Sequence, residues 1–161
     1  MQTDRDADSA VRIVDYTPAH RLAFQRLNYA WIERYFTIEE PDRKALDDPE
    51  TKILAPGGAI LIALLGDEPV GTCALLRHDA ATFELAKMCV DESAQGRGIG
   101  RRLGEAAIRR AHELGATELF LESNSTLVPA LELYRRLGFV EVACEPTPYA
   151  RCDVRMVLRR R

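Results

Sequence analysis

The sequence predicts a single mixed α/β domain, with a mostly antiparallel central sheet of about seven strands and helices on both faces. Three observations carry that expectation. At 161 residues, 47% hydrophobic and 29% charged, the chain has the size and composition of one soluble domain with a core of its own. Seven β-rich runs, at 11–14, 59–65, 70–77, 82–90, 118–122, 139–143 and 152–158, combine hairpin-like spacings with one strand–helix–strand crossover. The segments around them repeat apolar residues at intervals of three and four, as helices packed on a sheet do.

Residues 1–10 are polar and acid-rich and read as a flexible tail, leaving 11–161 as the single domain. Val11-Arg12-Ile13-Val14 alternates as a first strand. Thr17-Pro18 opens a helix to Tyr35, with Leu22, Phe24, Leu27, Ala30, Trp31 and Tyr35 as its apolar positions. Glu39-Glu40-Pro41 and Asp47-Asp48-Pro49 mark a loop over 36–56, interrupted by a short acidic helix at 41–46. Gly66-Asp67-Glu68-Pro69 turns the strand at 59–65 into the one at 70–77, and 82–90 follows. The next helix places Ile99, Leu103, Ala106, Ala107, Ala111 and Leu114 on one face and stops at Gly115. After the strand at 118–122, Asn124-Ser125 can cap a helix with Pro129 in its first turn and Gly138 at its end. The runs 139–143 and 152–158 then close the sheet as an antiparallel pair around a Pro-rich loop.

Composition narrows the functions available. A net charge of -3 gives no general attraction to nucleic acid or to an anionic membrane, and Arg159-Arg160-Arg161 reads as a solvated end. The longest apolar run, Ala59 to Leu65, is far short of the ~20 residues a membrane helix needs. The N-terminus lacks the basic-then-apolar order of a signal peptide, so the expected location is cytoplasmic. Cys73, Cys89, Cys144 and Cys152 form no C-x-x-C pair, and His20, His78 and His112 form no cluster. Neither a metal site nor a covalent nucleophile is expected.

The chemistry concentrates at Gln95-Gly96-Arg97-Gly98-Ile99-Gly100, between a strand and a helix. A helix start leaves about four backbone N–H groups without partners and carries roughly half a positive charge, which suits phosphate. Glycines let a pyrophosphate approach and tolerate the positive φ that folds successive N–H groups into a nest. Arg97, Arg101 and Arg102 add charge. A dinucleotide fold would also place Gly96-x-Gly98 and a later Glu122 in this order, but its last glycine would fall at Arg101, and four residues separate Val90 from Gln95 where a tight turn is required. A P-loop is excluded by the missing Gly-Lys-Ser/Thr.

Taken together, strand Glu84-Leu85-Ala86-Lys87-Met88-Cys89-Val90, the Gln95 to Gly100 turn and the segment Ala130-Leu131-Glu132-Leu133-Tyr134-Arg135-Arg136-Leu137-Gly138-Phe139 resemble the GNAT superfamily of N-acetyltransferases. The element order fits nearly the whole chain. The resemblance implies acetyl-CoA as co-substrate, its pyrophosphate on the backbone N–H groups from Gln95 to Arg101 (Gln95, Gly96, Arg97, Gly98, Ile99, Gly100, Arg101) and its pantetheine beside Met88 and Val90. Many members carry an Asn about seven residues before the Tyr. Leu127 stands at that position here, and the role passes to Asn124, three residues further back.

The resemblance also implies catalytic roles. Tyr134 matches the tyrosine that faces the CoA sulfur as general acid. Glu84 lies eleven positions before Gln95, the offset of the base carboxylate in histone-type members, and even alternation places it on the face of Ala86, Met88 and Val90. The acceptor is an amine on a small molecule, an amino acid or a protein, expected between the aromatic-rich first helix and the loop before the last strand, with Tyr29, Arg34 and Tyr149 as contacts. A homodimer is a further expectation. A non-catalytic acyl-CoA-binding or sensing module is the alternative that keeps the cradle without turnover.

Overall fold

Strand β4 (Thr82–Val90) lies at the centre of a seven-stranded sheet of order β1-β2-β3-β4-β5-β7-β6. The other strands are β1 (Val11–Asp15), β2 (Ala59–Leu65), β3 (Glu68–Arg77), β5 (Glu118–Ser123), β6 (Val140–Val142) and β7 (Val154–Arg159). The computed structural model describes residues 10–160; apart from Ala10, the tail expected at 1–10 lies outside the described residues. All neighbouring strands are antiparallel except β4 and β5, the pair joined by the crossover helix.

Helices α1 (Arg21–Tyr35) and α2 (Glu40–Asp47) cover one face, and α3 (Ile99–Glu113) and α4 (Val128–Arg136) cover the other. Strand β2 is apolar throughout because both its faces are covered: Leu61 and Ala63 enter the core beneath α3, while Ile60, Ile62 and Leu64 enter the core beneath α1 and α2. The expected stripe of α3 is buried at Ile99, Leu103, Ala107 and Ala111, and Leu114 is 38% exposed past its end.

The stripe of α1 differs from expectation. Its buried positions are Phe24, Leu27, Asn28 and Ile32, whereas Leu22 is 77% exposed and Ala30 and Tyr35 also face solvent. The face is rotated because Asn28 is satisfied inside: its Nδ2 donates to the Phe24 carbonyl at 2.9 Å and to Thr72 Oγ1 at 3.0 Å. Strand β6 shortens to three residues, β7 starts at Val154, and a further helical turn at Glu50–Leu54 follows α2.

Two irregularities of β4 position the site. It pairs with β5 only through Thr82↔Glu118, Phe83↔Leu119 and Glu84↔Phe120, and beyond these the strands part. Its register with β3 shifts between Thr72↔Cys89 and Ala74↔Ala86, so β4 holds one extra residue there. Lys87, inside this bulge, has φ +51. The bulge breaks the alternation expected for Glu84. Glu84, Ala86 and Cys89 pair with Leu76, Ala74 and Thr72 on the α1 face, while Met88 and Val90 pack into the core beneath α3.

Gly58 sits at the start of β2, where an added Cβ would lie 2.2 Å from the Leu75 carbonyl oxygen and 2.6 Å from that of Ile53. Backbone cannot yield as a side-chain tip can. Gly58→Ala is expected to lower unfolding free energy by about 1–3 kcal/mol, read as a lower urea midpoint with an unchanged slope.

Candidate active site

The gap between β4 and β5 is lined by backbone. Asp91 N–H donates to the Val70 carbonyl at 2.7 Å, and the antiparallel ladder alternates from there. Cys89 therefore turns its N–H and C=O toward β3. Met88 and Val90 turn theirs to the other edge, into the gap. Gln95 Nε2 donates to the Val90 carbonyl at 3.3 Å, joining this edge to the glycine turn.

That turn has the conformation its glycines suggest. Gly96 and Gly98 have φ +80 and +75, and open space surrounds the position a Cβ would take at each. The first bond of the α3 ladder runs from Arg102 N–H to the Gly98 carbonyl at 3.1 Å, so Ile99, Gly100 and Arg101 present N–H groups ahead of it. Gln95 departs from the expected cradle, because its own N–H donates to Glu92 carbonyl at 3.3 Å. Arg97 is exposed, and Arg101 Nε donates to Glu105 at 2.9 Å across one helical turn.

Tyr134 stands on α4 between Leu133 and Leu137. These leucines close on α3 so tightly that a Cβ at Gly100 would lie 3.3 Å from Leu133, and one at Gly104 2.5 Å from Leu137. The Tyr134 ring packs edge-on to Phe139 with centroids 6.2 Å apart, and among the described residues its hydroxyl has no hydrogen-bond partner. Burial pushes its pKa well above the ordinary phenol value.

Asn124 is committed elsewhere. Its Nδ2 donates to the Arg151 carbonyl at 2.7 Å, and its Oδ1 accepts from Thr126 N–H at 2.9 Å and Thr126 Oγ1 at 2.6 Å. Both ends of the carboxamide hold the turn before α4 and the β6–β7 loop.

On the α1 face, Glu84 is the last β4 residue paired with β5 and is 14% exposed at its side chain. His78 Nε2 donates to its Oε1 at 2.9 Å, and this bond raises the His78 pKa. Farther along β4, the buried Lys87 Nζ donates to Asp42 Oδ1 at 3.0 Å and to the Tyr149 hydroxyl at 3.2 Å. Arg151 grips the same Asp42 with two bonds of 2.8 and 2.7 Å and stacks on Tyr149 at 4.6 Å. For Asp42, burial alone would raise the pKa. The Arg151 bonds, the Glu39 N–H and Lys87 outweigh it and hold the carboxyl at about 2. The Lys87 pKa is lowered too, because burial pushes it down more than Asp42 restores it. Glu122, two residues past the last β4–β5 pair, accepts from Thr147 Oγ1 and lies 3.9 Å from Arg155, which stacks on Phe120 at 4.0 Å.

Of the three acceptor contacts expected from the sequence, the structure brings only Tyr149 to this cluster. Tyr29 donates to Asp47 at 2.6 Å, tying α1 to α2, with its pKa pushed up to about 12 by burial and that bond. Arg34 pairs with Glu92 before the glycine turn. Lys87, Asp42, Arg151 and His78 carry no expected role in the sequence, and Glu122 enters it only as the carboxylate of the dinucleotide alternative. Lys87 was open to notice, as a charge within an otherwise apolar strand. The others meet only through the fold.

A model of the acetyltransferase (GNAT) family matches residues 24–139. The chain belongs to the GNAT family. It is 28% identical over 130 residues to an uncharacterized N-acetyltransferase, YjgM, of Escherichia coli K12, covering 78% of this chain and 76% of that protein. With an uncharacterized N-acetyltransferase, YvbK, of Bacillus subtilis it shares 33% identity over 101 residues, covering 61% of this chain and 65% of that one. A GNAT acetyltransferase of Staphylococcus aureus Mu50 superimposes with TM-score 0.85 at 22% identity over 93% of this chain and 99% of that chain. A GNAT acetyltransferase of Elizabethkingia anophelis with acetyl-CoA bound does so with TM-score 0.71 at 20% identity, over 93% and 98%. The mixed seven-stranded sheet read from the sequence is the GNAT fold.

The Asp42 geometry has a pH signature. A carboxyl held at about 2 when folded and near 3.8 when unfolded stabilises the native state fully above pH 4, and that contribution is lost as pH falls through 2. In urea titrations, Asp42→Asn is expected to be less stable than wild type at pH 7 and to lose less stability between pH 4 and pH 2.

Proposed function

We propose that this chain transfers an acetyl group from acetyl-CoA directly to an amine acceptor, both substrates being bound together. The observation that carries this reading is the β4–β5 gap, edged by the backbone of Met88 and Val90, ended by the glycine turn, and opening at Glu84, with Tyr134 packed against the core on the α3 side. A family neighbour with acetyl-CoA bound shares the fold. In this reading the N–H groups from Gly96 to Arg101 hold the pyrophosphate, and the Met88–Val90 edge pairs with the pantetheine amides as an added strand would.

An alkylamine with a pKa near ~10.4 costs about 4–5 kcal/mol to deprotonate at neutral pH. Glu84 takes that proton, directly or through water, with one oxygen already held by His78. The amine attacks the thioester carbon, and the C–S bond breaks as the carbonyl reforms. Proton transfer from a phenol to the departing thiolate is uphill by about 2 kcal/mol in water, and burial of Tyr134 makes it steeper. Tyr134 therefore acts first as a hydrogen-bond donor to the sulfur, its unpartnered hydroxyl being available for it. No metal takes part in this scheme. The acceptor enters from the face of Glu84, Tyr149 and Glu122, and small amines, amino acids and protein amines all fit its chemistry.

Calorimetry with acetyl-CoA, followed by thiol release across an amine panel, tests the proposal. Wild type is expected to bind acetyl-CoA and release thiol with at least one amine. Tyr134→Phe and Glu84→Gln are expected to bind it comparably while kcat falls by about a hundredfold. Binding with no thiol release from any amine would instead make this an acyl-CoA-binding module.

A further inference from the structure

Two buried polar side chains have no part in the chemistry above. Thr72 on β3 is fully buried and Asn28 on α1 is 3% exposed. Thr72 Oγ1 donates to the Lys87 carbonyl at 2.7 Å and accepts from Asn28 Nδ2 at 3.0 Å, while Asn28 is steadied on its own helix by the Phe24 carbonyl. A hydroxyl has one proton. Because the Asn28 amide occupies a lone pair, that proton is directed to the Lys87 carbonyl, the Cys89 sulfur at 3.4 Å being a weak alternative.

The Lys87 carbonyl belongs to the bulge, where the β3–β4 register slips. Its residue has φ +51, a conformation that is strained for a non-glycine residue and persists only where surroundings hold it. In a trans peptide the N–H of the next residue points opposite to the carbonyl. With the Lys87 carbonyl tied toward β3, the Met88 N–H is driven into the β4–β5 gap.

We propose that Thr72, oriented by Asn28, is a positioning residue that locks the Lys87–Met88 peptide so that the Met88 N–H meets the thioester oxygen of acetyl-CoA. This rests on the acetyl-transfer reading. When the amine forms its bond to the thioester carbon, the carbonyl π pair moves onto oxygen, and a donor fixed beforehand stabilises that charge without reorganising. Thr72 touches neither substrate. It acts through the peptide.

The test uses Thr72→Val, which removes the hydroxyl at nearly constant shape, and Thr72→Ser, which keeps it. Two readouts are followed: steady-state kinetics with an amine identified by the panel, and isotope-edited infrared spectra of the carbonyl of bound acetyl-CoA. Thr72→Val is expected to lower kcat by about 10- to 100-fold, with both KM values within about threefold, and to move the bound carbonyl band toward its position in free acetyl-CoA. Thr72→Ser is expected to restore both. Unchanged kcat in Thr72→Val, an unmoved carbonyl band, or a Thr72→Ser variant as impaired as Thr72→Val would each overturn the proposal while leaving acetyl transfer intact. Wild-type protein that fails to bind acetyl-CoA would overturn the reading of function and this proposal with it. Should Thr72→Val not fold, Asn28→Ala frees the hydroxyl to rotate, and its kcat is expected to fall about 3- to 10-fold with the same band shift; no change in either would count against the lock.

Discussion

The site depends on one break in a ladder. A central strand normally spends its backbone on both neighbours, yet β4 stays with β5 for only three residue pairs. Beyond them its edge leaves β5, and the polar groups of Met88 and Val90 face the gap, where the Val90 carbonyl accepts from Gln95 Nε2. An unpaired inner edge costs stability unless something pairs with it, and an extended chain bearing amides, as pantetheine does, is suited to that. Glu84 lies on the α1 side where the pairing ends, and Tyr134 packs into the core on the α3 side of the sheet.

The bulge at Lys87 belongs to the same break. One extra residue in β4 turns Met88 and Val90 to the α3 core while Glu84 and Ala86 stay on the α1 face. Its conformation is held from two directions. The backbone carbonyl is tied by Thr72, and the side chain is tied to Asp42, which is fully buried and also grips Arg151. A buried ion cluster is a weak source of net stability, since desolvation offsets much of its Coulomb gain. Its contribution here is geometric: Asp42 joins α2, the β4 bulge and the β6–β7 loop at a single carboxylate.

Periodicity and turn chemistry placed nearly all the elements, because those signals are local. The strands of the central hairpins and the stripe from Ile99 to Ala111 are legible from neighbours within a turn or two. The buried face of α1 departs from its sequence period because burial of Asn28 requires Thr72, 44 residues away in sequence. The bonds of the Asn124 carboxamide are equally hidden in the sequence, since one of its partners is the Arg151 carbonyl, 27 residues on. The face of Met88 could not be known from alternation, since a bulge is a property of a strand pair and leaves no period in one strand.

By itself, then, the sequence determined the order of elements, the glycine turn with its left-handed positions at Gly96 and Gly98, and the family-bearing motifs around Glu84 and Tyr134. Each of these is set by residues close in the chain, through the steric freedom of glycine, the helix dipole and hydrophobic period. Only the tertiary structure decided that β4 and β5 part after Glu84, that Lys87 turns inward to Asp42, and that His78 closes on Glu84. Those depend on hydrogen bonds and charges from separate elements competing for the same buried space, which no local pattern records.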